Sequence, residues 1–201
     1  MRIIGLTGSI AMGKSTAARM LRCLGLPIHD ADACVHRLFA QSGRAVAPIS
    51  EAFPGVVVNG SVDRNKLGAK VFGKPDELNR LEAIVHPLVR DERDRFLSEN
   101  RRRRSRLVVL DVPLLYETKG QGLCDKVIVV SAPAFLQRRR ALVRPEMTTD
   151  KLALILARQM PDHKKRQLAD VVISTGLGFS DTRRRLARYI HRLQELPGAG
   201  R

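Results

Sequence analysis

Gly8-Ser9-Ile10-Ala11-Met12-Gly13-Lys14-Ser15 reads glycine, four variable residues, then Gly-Lys-Ser, the pattern of a phosphate-binding P-loop. Its chemistry follows from its backbone. Glycines let the chain curl until successive N–H groups converge on phosphate oxygens, and a helix opening at that point adds the positive end of its dipole. Gly8 and the main chain from Ala11 through Met12, Gly13, Lys14 and Ser15 to Thr16 are therefore the expected cradle. Lys14 would reach the β- and γ-phosphates of ATP, and the Ser15 hydroxyl would sit on Mg²⁺. The flanks fit that setting. Arg2-Ile3-Ile4-Gly5-Leu6 suits a buried strand; Ala17, Met20, Leu21 and Leu24 fall at helical spacing; Gly25 can end that helix, and Pro27 prevents its resumption.

The chain is 201 residues long, enough for one domain with a proper core, and its 44% hydrophobic and 28% charged residues are globular values. Cys23, Cys34 and Cys124 form neither a CxxC pair nor an even framework, which favours a reducing, cytoplasmic setting and small core roles. No apolar run approaches the ~18 residues that span a bilayer, and the apolar start flows straight into the loop without a cleavage site, so neither membrane insertion nor a signal peptide is expected. The net charge of +16 and pI near 10.9 invite a nucleic-acid reading. Against it, aromatic residues make up 4% with no Trp, and no helix-turn-helix or zinc-ligand spacing stands out. A protein gripping two polyphosphate ligands also needs surplus Arg and Lys.

Further strands are expected at Leu26–His29, Leu107–Asp111, Lys126–Val130 and Val171–Ile173, apolar and separated by helical stretches. That pattern predicts a five-stranded parallel sheet covered on both faces, a three-layer α/β core of the P-loop NTPase type. Helices are predicted from Val35 toward Gly43, from Asp63 to Phe72, from Pro75, afresh from His86-Pro87 into Arg101–Arg104, over 135–144 and 149–160, and over 181–195 before a disordered Pro-Gly tail. Leu152, Ile155, Leu156 and Gln159 share one face of the 149–160 helix. The four arginines at 101–104 suit a solvated helix end. The plan is a single P-loop α/β domain over 1–201 with a helical insertion at 48–104 and a short basic helical hairpin at 135–166.

Asn65-Lys66-Leu67-Gly68 lacks the Asp of a guanine-reading motif, and the chain is short for an ATP-driven motor, which leaves a small kinase. His29-Asp30-Ala31-Asp32, Val85-His86-Pro87-Leu88-Val89, Asp111-Val112-Pro113-Leu114-Leu115-Tyr116-Glu117, Arg140 to Arg144, Arg158-Gln159-Met160 and Lys165 to Ile173 resemble, in order, the motifs of the dephospho-CoA kinase family. The resemblance covers about residues 1–190. It implies transfer of the ATP γ-phosphate to the ribose 3′-hydroxyl of dephospho-CoA, and a division into nucleotide core, CoA-binding helical part and lid. Two departures stand out: Ser174-Thr175 where many relatives read Asp-Asn, which puts an adenine contact in doubt, and Met12 where a small residue is frequent, which would crowd the phosphates. A nucleoside or nucleotide kinase of the same fold is the alternative enzyme, and a basic nucleic-acid-binding protein the alternative of another class.

The candidate roles follow from position. Asp32, at the end of the second strand, would accept or orient the 3′-hydroxyl proton, while Asp30 is the more natural helix cap. Asp111, ending an apolar strand, would orient Mg²⁺ through water or make a structural bond to the loop. Leu114 and Tyr116 fall where the acceptor should pack, and Thr7 and His86 complete the acceptor-side candidates, His86 doubling as a structural cap. Arg140 and Arg144, four apart and so on one helical face, would swing in over the transferring group; Arg138 and Arg139 read as solvated surface. No transition-metal site, no nucleic-acid or membrane partner, and a monomer or weak homo-oligomer are expected.

Overall fold

The computed structural model of the protein describes residues 1–195, which form two compact units: Met1–His29 with the chain from Asn100 onward, and Asp30–Glu99. The Pro-Gly tail lies outside the described residues.

The first unit is built on a five-stranded parallel sheet. Its strands are β1 (Arg2–Thr7), β2 (Ile28–Asp30, reaching the first residue of the second unit), β5 (Leu107–Asp111), β6 (Lys126–Ser131) and β7 (Val171–Ser174), in the order β2-β5-β1-β6-β7. β1 is central: Ile4 stands opposite Val109 on one side and Lys126 on the other. Alternation along β6 divides the core. Ile128 and Val130 face α1 (Lys14–Cys23) and α9 (Phe179–Glu195), whose Leu21, Leu186 and Ile190 are buried with them. Val127 and Val129 join the opposite cluster with Leu115 and Tyr116. Each such fully buried aliphatic side chain contributes about 1.5–3 kcal/mol of transfer free energy. The remaining helices here are α6 (Ala134–Leu142), α7 (Thr149–Arg158) and α8 (Asp162–Leu168). The predicted 149–160 helix therefore ends two residues early, because Gln159 turns extended ahead of Pro161, which disfavours the helical conformation nearby.

The second unit carries α2 (Ala31–Phe39), α3 (Val46–Ala52), a hairpin of β3 (Val57–Val58) and β4 (Ser61–Val62), α4 (Arg64–Val71) and α5 (Pro75–Arg102), whose last three residues belong to the first unit. Asn59 and Gly60 both have positive φ, 51° and 74°, the turn such a two-residue hairpin requires. The Asp63 carboxylate caps α4 through the amides of Asn65 and Lys66. Phe53, Ile49, Val56 and Leu38 are its core.

Two expectations are corrected. His86-Pro87 starts no helix: α5 runs unbroken for 28 residues with Pro87 inside it. Both residues lie on the exposed side, where the missing N–H and the carbonyl it would have met can turn to solvent, while Leu81, Val85 and Leu88 anchor both halves to one cluster. His86 is thus no cap. Likewise the α2 helix stops at Phe39, ahead of Gly43.

Candidate active site

The loop after β1 is shaped by what cannot fit. A Cβ on Gly8 would stand 2.7 Å from the Val130 carbonyl oxygen, so only glycine lets the chain pass β6. Ala11 takes a left-handed φ of 60° and Gly13 one of 92°, and α1 begins directly after Gly13. No acidic residue occupies the first turn of α1, so nothing there neutralises the positive end of its dipole. The Ser9 hydroxyl is buried without a hydrogen-bond partner among the described residues. Glycines that exclude side chains, a bare helix start and a stranded hydroxyl fit a polyphosphate ligand.

Lys14 and Asp111 meet across this loop. Lys14 Nζ donates to Asp111 Oδ1 at 2.8 Å, and the carboxylate, at the end of β5, is 2% exposed. Ser15, in the first turn of α1, is exposed. A hydroxyl and a carboxylate are the hard oxygen donors Mg²⁺ takes, and among the described residues no cluster of three or more His, Cys, Asp or Glu offers an all-protein metal cage.

Thr175, flagged only as a departure, is a junction. Its hydroxyl donates to the Met12 carbonyl at 2.8 Å and accepts from Arg140 Nη1 at 3.0 Å, while Arg140 Nη2 donates to the Thr175 carbonyl at 2.8 Å. Arg140 is therefore tied to the loop through one side chain. Arg144 does not share its helical face: α6 ends at Leu142 and Arg144 lies exposed in the following turn. The crowding expected of Met12 is also corrected. Its side chain is 2% exposed within the core, and its sulfur accepts the Ala132 amide at 3.1 Å.

Two glutamines grip the loop at Ile10. Gln159 Oε1 accepts the Ile10 amide at 3.0 Å, and Gln137 Nε2 donates to the Ile10 carbonyl at 3.0 Å. Gln159 thus leaves the apolar face foreseen for it, and nothing in the sequence around Gln137 distinguished it from surface.

The segment after Asp111 divides by burial. Leu114 is 41% exposed, whereas Tyr116 is buried with its hydroxyl unpartnered among the described residues, and burial pushes that hydroxyl up to about 12. Thr7 is wholly buried and donates its hydroxyl to the Pro113 carbonyl at 2.9 Å, a bond that shapes this segment. Glu117 accepts from Lys165 Nζ at 2.9 Å and from the Met160 amide at 2.7 Å. Burial raises the Glu117 carboxyl, but these donors win and hold it below its ordinary value.

Within the second unit, Asp30 caps α2 by accepting the Ala33 amide at 2.9 Å. The strand reaches Asp30, so Asp32 stands two residues beyond it, exposed in the first turn of α2. It lines a groove of about 450 Å³ with Val35, His36, Phe39, Arg64 and Leu67. His86 lies on the exposed side of α5.

A parallel α/β sheet with a glycine cradle closing on Lys14 and a strand-end acid defines a P-loop kinase. The chain belongs to the dephospho-CoA kinase family, whose model, described as Dephospho-CoA kinase, matches residues 2–179. It is 64% identical over 166 residues to a Dephospho-CoA kinase from Paramagnetospirillum magneticum, covering 83% of this chain and 78% of that one. A Dephospho-CoA kinase from Mesorhizobium japonicum is 52% identical over 99% of this chain and 100% of its own length. The crystal structure of TT1252 from Thermus thermophilus superposes with a TM-score of 0.82 at 35% identity over 98% of both chains.

Proposed function

We propose that this chain is an ATP-dependent dephospho-CoA kinase that phosphorylates the ribose 3′-hydroxyl of dephospho-CoA, giving coenzyme A. The observation that carries the reading is the Lys14–Asp111 ion pair closing the glycine cradle, in a chain of this family.

The amides of Ala11 and of Gly13 to Thr16, with Gly8 and Gly13 giving them room, bind the donor phosphates while the Met12 amide braces the loop on the Ser9 carbonyl, and Lys14 neutralises the phosphates. Ser15, with Asp111 through water, would hold Mg²⁺, which would supply further positive charge to the donor. Phosphoryl transfer has a loose transition state, so positioning and charge do most of the work. Arg140, already tethered beside Met12 through Thr175, neutralises charge on the group in transit, with Arg144 reaching in from the turn after α6. Asp32, whose carboxylate is not consumed by capping because Asp30 does that work, accepts or orients the hydroxyl proton. Leu114, Tyr116 and His86 belong to the acceptor side. Residues 48–104 bind the acceptor and 135–166 act as the lid.

The reaction belongs in the reducing cytoplasm: Cys23, Cys34 and Cys124 are free thiols, and no helix among the described residues is long and apolar enough to cross a membrane. A monomer or weak homo-oligomer suffices for it. A coupled ADP-release assay with dephospho-CoA, AMP and adenosine as competing acceptors tests the assignment. ADP release with dephospho-CoA alone is expected; faster release with AMP or adenosine would overturn it in favour of a nucleotide or nucleoside kinase.

A further inference from the structure

Residue Ile10 has both its backbone polar groups held by side chains from elsewhere in the chain. Its N–H goes to Gln159 Oε1 and its carbonyl to Gln137 Nε2, each at 3.0 Å. Gln137 is on α6 and Gln159 directly follows α7, so two separate helices read one loop residue. The next residue, Ala11, sits at φ 60°, a left-handed conformation that a residue with a Cβ resists. Such a conformation persists only where the surroundings over-determine it. The surroundings here are those two carboxamides and a small apolar cluster, in which Ile10 and Ala11 pack with Ala141, Leu152 and Met147. The same grip decides which amides remain for a ligand. The Ile10 N–H is spent on Gln159 and the Met12 N–H on the Ser9 carbonyl at 3.2 Å, so donation to a ligand falls to the Ala11 amide and to those from Gly13 onward.

We propose that Gln137 and Gln159 are positioning residues for the ATP donor: acting through Ile10, they hold Ala11 in its left-handed turn and keep the phosphate loop in its binding shape. The inference rests on residues 8–16 being the ATP-phosphate site. The two glutamines have opposite polarity, and that gives a signature packing cannot imitate. At position 159 the group needed is an acceptor; at 137 it is a donor. A carboxylate therefore satisfies the Ile10 amide at 159 but faces the Ile10 carbonyl at 137 with nothing to donate.

The test compares Gln159→Met, Gln137→Met, Gln159→Glu, Gln137→Glu and Lys14→Met by calorimetric ATP binding and steady-state kinetics. The methionine variants are expected to weaken ATP binding about tenfold while KM for dephospho-CoA stays within twofold. Gln159→Glu is expected to bind ATP several-fold more tightly than Gln137→Glu; both add one charge beside the same residue, so the difference reports the polarity of the bond. If the methionine variants fail to fold, the two shape-conserving glutamate variants carry the comparison. Equal affinities for the two glutamate variants, or methionine variants that bind ATP as the parent does while Lys14→Met loses it, would overturn the proposal alone. ATP binding that survives Lys14→Met would remove the phosphate-loop reading and this proposal with it.

Discussion

Asp32 and Asp30 stand two residues apart and do different work. Asp30 spends an oxygen on the Ala33 amide, whereas Asp32 is exposed on the groove of the second unit. Asp32→Asn should lower kcat by about 10²–10⁴, the worth of a positioned general base, with ATP affinity kept within threefold by calorimetry. Turnover near that of the parent would remove Asp32 from the chemistry. Gly8 makes a steric prediction of its own. Its added Cβ would meet Val130 Cγ2 at 2.5 Å as well as the carbonyl oxygen, and neither backbone can yield cheaply. Gly8→Ala should cost about 1–3 kcal/mol in chemical denaturation and weaken ATP binding with it. At this scale the sequence showed the groups that carry charge or open a turn: Lys14, Ser15, Asp111, Gly13. It hid what Thr175, Gln137 and Gln159 bond to, because neutral side chains reaching distant backbone leave no local pattern of their partners.

Among the elements, α5 teaches most. Its Pro87 has the same neighbours whether it opens a helix or interrupts one, so local chemistry could not choose. Packing chose, since Val85 before it and Leu88 after it dock on one apolar cluster. Pro87 still denies the Ala83 carbonyl its usual i+4 donor. Pro87→Ala should therefore stabilise the protein by about 1–3 kcal/mol, read as a rise in the thermal midpoint, because the proline penalty in an exposed helix interior is about 3 kcal/mol. No rise, or a fall, would mean that the proline ring contributes packing or rigidity that outweighs the missing hydrogen bond. The strands and α1 were legible because each is a short apolar run between glycine or proline stops. Sheet order was not, since β5 and β6 are equally apolar and only tertiary pairing puts β1 between them.

Stability against pH belongs to the molecule as a whole. Burial raises the carboxyls of Glu117 and Asp170, but donors outweigh it: Lys165 and the Met160 amide for Glu117, Lys126 and the Val127 amide for Asp170. Both lie below their ordinary values, so the unfolded chain binds more protons in that range and their stabilisation, present at neutral pH, is lost as pH falls below about 4.5. The net charge of +16 grows as carboxylates protonate, which steepens the acid limb. On the alkaline side Tyr116 is pushed up to about 12 by burial and Tyr189 is raised as well, so stability falls as pH climbs from 10 toward 12. Urea midpoints across pH should trace both limbs. Glu117→Gln leaves the fully buried Lys165 without its counter-charge and should cost about 3–5 kcal/mol at neutral pH, the gap to the parent narrowing as pH drops. A constant gap would show that the carboxylate's charge plays no part. The split into Met1–His29 with Asn100 onward, and Asp30–Glu99, was only coarsely readable, because the boundary at Asp30 falls inside a strand and carries no linker composition.

Met12 turns its thioether inward from the glycine loop, its sulfur engaged by the Ala132 amide and closed off from water. Conversion to the sulfoxide would set a polar oxygen among the aliphatic side chains around it, where nothing is arranged to receive one. A sulfur buried to this degree is out of reach of peroxide in the folded chain, so oxidation at Met12 would report an opening of the packing around it.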